Sequence, residues 1–379
     1  MLIALSFAEV SSRFDSTGGP YLYTRAAFGR FAAFEVGWML WFTRAVSWAA
    51  VVNVLATALA FYMPTLGTGW IRAAFITTVI VVITAINIRG IRQSSLVLNV
   101  LTVGKLLPLL AFVVVGLFFI DPARLVPQET PSLAQVSATA LLLIFAFGGY
   151  EVIPVPAGES RDPTRAVPFA LIMTIVVVML LMTLVQVVAL GTLPGLASSR
   201  TPLADAAVLF MGAGGAMLLT VGAVFSTSGN NMGQALSGSR NLYALAEQGD
   251  LPRFFGYIHP RFRTPVHAIV VTAAVAAVLA ISGRYAELAL VSAISRLLVY
   301  VATCASTLRL RSATPTVGIR PPSFVVPFGP VIPSLAILVS LSIIAGARRE
   351  QLVAGAVALA VGAVLYTIAT RTVTAADGQ

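Results

Sequence analysis

Apolar runs of about 20 residues, the length that crosses a hydrocarbon core as a helix, recur from one end of the chain to the other. By that length rule the pattern predicts ten spans, over 33–62, 70–88, 95–120, 136–157, 166–191, 206–240, 266–282, 286–308, 328–346 and 351–370. Residues 1–10 are also apolar but make only about half a span. They read as the end of a helix whose beginning lies upstream. A loop carrying Gly18-Gly19-Pro20, with Arg13, Arg25 and Arg30 around it, separates this tail from the first full run. No low-complexity segment or soluble domain interrupts the series, and the longest loop, 241–265, is too short to fold alone. The pattern predicts an all-α polytopic membrane protein with residues 1–379 as a single transmembrane domain.

One run differs from the others. Within 136–157 stands Ile144-Phe-Ala-Phe-Gly-Gly-Tyr-Glu-Val-Ile-Pro-Val-Pro-Ala-Gly-Glu159, where a glycine pair interrupts the apolar residues and Tyr150 and Glu151 follow at once. Glycine releases the helical backbone, and each polar group freed in hydrocarbon costs several kcal/mol, so a break at this depth is packed in protein or lines a cavity. Broken helices with a polar residue at the break are how transporters build a site near the midplane. Glu151 has two readings: a proton-titrating or substrate-facing carboxylate, or an acid that locks the kinked helix to a neighbouring arginine.

Composition sharpens this picture. The 379 residues are 58% hydrophobic and 10% charged, against roughly 25% charged in soluble domains. The net charge of +10 is spread over short loops rather than massed in a patch, which argues for membrane orientation and against nucleic-acid binding. With the 13–30 loop in the cytoplasm, alternation gives fifteen arginines to cytoplasmic loops and six to the opposite side, so the C-terminus is expected in the cytoplasm. The chain's one cysteine, Cys304, lies in an apolar run and forms no internal disulfide.

Three basic residues fall deep inside predicted spans, away from their ends: Arg44, Lys105 and Arg296. Lys105 is the only lysine, in the run Asn99-Val-Leu-Thr-Val-Gly-Lys-Leu-Leu-Pro108. A buried lysine readily changes its proton affinity and can exchange a proton during transport, or its charge can stand in for a bound cation; the alternative is a side chain that snorkels to the interface. Arg44 and Arg296 have no acid at i±3 or i±4, so each needs a carboxylate from another helix, with Glu151, Glu9 and Glu35 available. They read as structural, with substrate binding as the alternative. Glu35, nine residues before Arg44, falls on the opposite helix face. In 206–240, Thr220, Thr227, Asn231 and Gln234 form one polar stripe that either lines a translocation path or hydrogen-bonds between helices. His259 and His267 lie in or beside a loop, and no His/Cys/acid spacing suits a metal. Enzyme signatures are absent, and no cofactor is implied.

Three motifs in order resemble one family. Phe145-Ala-Phe-Gly-Gly-Tyr-Glu151 with Ala157-Gly-Glu-Ser-Arg-Asp-Pro-Thr-Arg-Ala-Val-Pro168 is similar to the sixth helix and following loop of the amino acid–polyamine–organocation (APC) transporter superfamily. Ser237-Gly-Ser-Arg-Asn-Leu-Tyr-Ala-Leu-Ala-Glu-Gln-Gly-Asp-Leu-Pro252, with Thr264-Pro265, resembles the loop after its eighth helix. Phe7-Ala-Glu-Val with Gly18-Gly-Pro-Tyr-Leu-Tyr23 resembles the end of its second helix and the next loop. The resemblance implies a LeuT-like fold of two inverted five-helix repeats plus two helices. Residues 1–10 would end helix 2, 33–120 would hold helices 3–5, 136–308 helices 6–10 and 328–370 helices 11–12. Helix 1 and the first half of helix 2 are then missing from the chain, and the expectation is that the true start lies upstream of Met1.

The resemblance also implies secondary transport of amino acids or related amines by alternating access in the plasma membrane, the inner membrane of a bacterium. Transport would be proton-coupled or by exchange. Phe145 and Phe147 would form an aromatic gate, and the backbone around Gly148 and Gly149 would receive the substrate's ammonium group. Substrate contacts would extend to Tyr150 and Glu151, and Thr227 and Asn231 would border the path. Lys105, with Glu151, would couple protons at a position like that of a sodium ion in relatives. Pro154 would fit the first turn of a second half-helix, and Pro156 fits less well. The rival reading is a non-transporting membrane protein, either an amino acid sensor or an inactive truncated remnant.

Overall fold

The computed structural model describes residues 1–16, 18–60, 63–90, 94–126, 130–155, 157–199, 201–312 and 319–376. Pro156, weighed above, and Arg92 and Arg200, two of the loop arginines counted above, lie outside the described residues. Among those described, the regular structure is helical throughout: α1 Leu2–Ser11, α2 Pro20–Phe28, α3 Arg30–Ala60, α4 Gly69–Arg89, α5 Ser94–Gly116, α6 Leu133–Ala146, α7 Pro163–Thr192, α8 Pro202–Glu247, α9 Val266–Ser282, α10 Tyr285–Arg311, α11 Val331–Ala345 and α12 Arg349–Ala376.

Each predicted run contains a helix, and three differences stand out. The loop 13–30 is in part helical, because Pro20 opens α2 at a position that needs no N–H and Gly29 closes it. The run 206–240 belongs to a longer helix that carries α8 to Glu247 and bends at Gly212. The run 136–157 is not one helix. α6 opens on a capping box between Ser132 and Gln135 and stops at Ala146, and the chain continues in short 3₁₀ turns at Tyr150–Val152 and Ala157–Glu159. Pro154 lies in a turn rather than in a second half-helix. The backbone there is satisfied by i→i+3 bonds (Val152 to Gly149 and Ile153 to Tyr150) and by Gly18, whose N–H donates to the Val155 carbonyl at 2.9 Å.

Among the described residues, seven helices are long and apolar enough to cross a membrane, and α1, α6, α9 and α11 are shorter apolar helices. Their burial sorts them into two kinds. α3 and α10 are buried on most sides, and α3 packs against α2, α8, α9, α10 and α12. The others turn large apolar side chains outward, such as Val81, Val114, Phe169, Met217 and Val357. Water would penalise such a surface by about 25 cal/mol per Å², whereas hydrocarbon does not. The two central helices therefore form the post against which the break in α6 is set.

Candidate functional site

Glu151 is fully buried, and the groups around it come from two helices and its own turn. Arg44 of α3 pairs with its Oε1 through Nη2, and Arg296 of α10 brings Nε to 3.0 Å of the same oxygen. On Oε2, the Gly149 N–H donates at 2.8 Å and the Tyr300 hydroxyl of α10 donates at 3.0 Å. Both arginines are only 2% exposed. Removing one partner of such a buried pair costs about 3–5 kcal/mol, because the remaining charge is stranded. Of the two readings of Glu151, the lock is the one whose geometry is on view, with two arginines in place of one.

The glycine pair has two separate physical reasons. Gly149 has φ +123°, a backbone conformation that side-chain-bearing residues rarely adopt. At Gly148 a Cβ would fall 1.3 Å from Arg296 Nη1, so glycine alone lets the guanidinium lie against the chain. From there Arg296 Nη1 donates to the carbonyls of Ile144 and Phe145, at 3.3 and 3.2 Å. These belong to the last turn of α6, where the Phe145 carbonyl also accepts from the Gly148 N–H at 3.1 Å and which carries the negative end of the helix dipole. A cation of the protein itself thus caps the broken helix, beside the backbone that the resemblance assigns to a substrate ammonium.

Further contacts spread from this centre. Arg44 Nη1 donates to Gln234 Oε1 of α8 at 3.2 Å, and Arg296 Nη2 donates to Ser47 Oγ at 3.4 Å. Ser47 and Ser292 join α3 to α10 through hydroxyls 2.6 Å apart. Phe145 sits edge-on to Tyr285, with ring centroids 5.9 Å apart, and its ring centre is 5.9 Å from the Arg296 guanidinium carbon. Tyr150 turns instead into an aromatic trio with Phe7 and Tyr300, at centroid distances of 5.6–5.8 Å. Phe147 is partly buried against the same cluster.

The structure therefore brings Phe145, Gly148, Gly149, Tyr150 and Glu151 into one neighbourhood and adds Arg44 and Arg296 to it. Tyr300, Ser47 and Ser292 join them, and nothing in a single-residue reading of those apolar runs singled them out. Lys105 is partly exposed on α5 and makes no ion pair among the described residues. The polar stripe of α8 divides. Thr220 and Thr227 bond back to carbonyls of their own helix, Gln234 joins Arg44, and Asn231 is fully buried with neither side-chain polar atom partnered. His267, at the start of α9, stacks on Phe254 and Tyr257.

Two other buried acids serve the helix ends. Glu9 of α1 accepts from both Arg311 Nε (2.6 Å) and Nη2 of α10, and from the Val326 N–H at 2.9 Å. Asp250 accepts from Tyr21 at 2.7 Å and Arg30 at 2.6 Å, tying α2 and α3 to the end of α8. A cavity of about 420 Å³ is lined by residues that include Val54, Thr57, Thr201, Leu219, Thr220 and Tyr285.

Comparison with known proteins agrees with this architecture. Residues 1–374 match a family described as amino acid permease. The chain is similar to the branched-chain amino acid permease BcaP of Bacillus subtilis, with 26% identity covering 98% of this chain and 83% of that protein. The serine/threonine exchanger SteT of the same organism is 27% identical, over 88% of this chain and 76% of its own. An uncharacterized transporter of Mycobacterium tuberculosis, Rv1999c, is 32% identical over 73% of this chain and 62% of its own length.

Proposed function

The chain belongs to the amino acid permease family, and on that premise we propose that it moves amino acids or related amines across the membrane by alternating access about Gly148–Glu151. It is an integral multi-pass membrane protein and a transporter, not an enzyme. The observation that carries the mechanism is the break itself. α6 ends at Ala146, and its terminal carbonyls and the acid beyond it face α3 and α10 through charged side chains. Contacts made of discrete ion pairs switch between two arrangements, as alternating access requires.

In this reading the helices follow a LeuT-like inverted-repeat plan, with the plasma membrane as the site and the C-terminus in the cytoplasm. Phe145, with Tyr285 against it, is the gate on the cavity side, Phe147 backs it, and Tyr150 and Glu151 border the substrate from below. Thr227 and Asn231 line the path. Lys105 couples transport to protons. It is partly exposed and makes no ion pair among the described residues, which leaves its ammonium open to a partner during transport. Relatives named as a branched-chain amino acid permease and a serine/threonine exchanger support amino acids as cargo and leave both symport and exchange as modes.

The test is uptake of radiolabelled amino acids into proteoliposomes with and without an inward proton gradient, for this chain and for a form extended upstream to the previous in-frame start. Gradient-stimulated uptake, reduced about tenfold or more in Lys105→Ala, is the expected result. Uptake whose pH dependence is unchanged in Lys105→Ala removes the coupling role, and monodisperse protein that moves no amino acid in either form favours the sensor or remnant.

A further inference from the structure

The central cluster is not electrically balanced. Two guanidinium groups, Arg44 and Arg296, share one carboxylate, and both approach the same oxygen of Glu151. Among the described residues no second acid pairs with either. Glu9 is held by Arg311, and Glu35 faces away, toward Gly362 of α12. The groups sum to one net positive charge in a place with almost no exposure to water. An unpaired buried charge is among the costliest arrangements a protein can hold.

Unused polar atoms surround this charge. Arg44 Nε has no hydrogen-bond partner, and Arg296 Nε, although 3.0 Å from Glu151, is not aligned to donate to it. Gly37 packs on Leu245, and Arg44 packs on Gly238 and Gln234, so α3 and α8 run antiparallel and Trp48 and Asn231 occupy the next turn of each. Both are fully buried, and Trp48 Nε1 and both side-chain polar atoms of Asn231 are unpartnered. Several of the unused atoms are donors: the two Nε groups, the indole N–H and the Asn231 amide.

A cavity lies farther along α3. Val54, in its wall, is ten residues beyond Arg44, or about 15 Å along α3. Tyr285 lines the cavity and contacts Phe145, which in turn lies over the Arg296 guanidinium. Tyr285 and Phe145 thus link the cavity wall to the Arg296 guanidinium.

Resting on the transport reading above, we infer that this centre selects cargo by charge: the substrate is an acidic amino acid of net charge −1, its extra carboxylate received by Arg44 and Arg296. A zwitterion adds no net charge and leaves the centre at +1. A cationic amino acid raises it to +2. The protein's own Arg296 holds the α6 carbonyls, so a substrate ammonium gains little there, and Asn231 Oδ1 is the acceptor left open for it.

The experiment measures proteoliposome uptake of L-glutamate, L-leucine and L-lysine at equal concentration and pH 7, in chloride and in gluconate. The expected result is glutamate taken up at least tenfold faster than leucine or lysine in both salts. Arg296→Gln brings the centre to zero charge and should lower the glutamate-to-leucine ratio at least tenfold, while Arg44→Lys keeps the charge and most of the ratio. Size-exclusion profiles confirm that each variant is folded, and a variant that fails this is replaced by Arg44→Gln, which makes the same charge change. Leucine uptake without glutamate preference overturns the inference and leaves transport standing. Leucine uptake that requires chloride also overturns it, assigning the balancing anion to the salt. Uptake of none of the three by monodisperse protein overturns both readings.

Discussion

Glu151 keeps its position because two guanidinium groups, a backbone N–H and a phenol enclose it, and each of these groups depends on it in turn. Glu151→Ala should therefore cost about 3–5 kcal/mol and Glu151→Gln distinctly less, since the amide still accepts on one atom. Thermal unfolding of the two variants in detergent checks this ordering, and an unchanged midpoint for the alanine variant would refute the lock. Gly148→Ala should resemble Glu151→Ala, because a Cβ there displaces the Arg296 guanidinium. The cause differs from that at Gly149, where the strain lies in the backbone and no neighbouring atom is in the way. The sequence marked Arg44 and Arg296 as residues in need of an acid and named three candidates. It gave no means of choosing among them. Helix period put Glu35 on the face opposite Arg44, and there it is, but only packing shows that Glu9 is occupied by Arg311 and that both central arginines converge on one carboxylate.

At the scale of elements, the break in α6 divides one apolar run into a 14-residue helix and a string of turns. The glycine pair marked the break, but the absence of a second half-helix was not legible. It follows from the i→i+3 pairing after Gly149 and from the Gly18 contact to Val155, which join residues far apart in the chain. The Glu9–Arg311 pair works at the same scale. It ties α1 to α10 and, through the Val326 N–H, to the segment that leads into α11. Arg311→Ala should strand a buried carboxylate and loosen that segment. Hydrogen exchange at residues 319–326 is expected to quicken at least tenfold, and unchanged protection there would show that the pair does not hold it.

For the whole molecule, the arginine distribution predicts the Arg30 end of α3 in the cytoplasm and the Thr201 end of α8 on the other side. The chain carries its own control for a test of this. Cys304 is fully buried, so a membrane-impermeant maleimide should leave the folded wild-type protein unlabelled. Cysteine placed at Arg30 should be labelled in intact cells only after permeabilisation, and cysteine at Thr201 without it. The reverse pattern would invert the topology.

Hydrophobic length alone specified the helical class, the membrane as solvent and a helix within each predicted run, because each helix satisfies its backbone hydrogen bonds within itself and needs no partner to be recognised. The glycine pair and the lone charges located the centre for the same reason, since each is costly where the pattern puts it. What the tertiary structure decided is which charges meet. An ion pair between α3, the turn after α6 and α10 depends on how three helices are rotated about their axes, and that rotation is set by packing across more than a hundred residues of intervening chain. The surplus of one positive charge exists only once those three side chains share a single buried site.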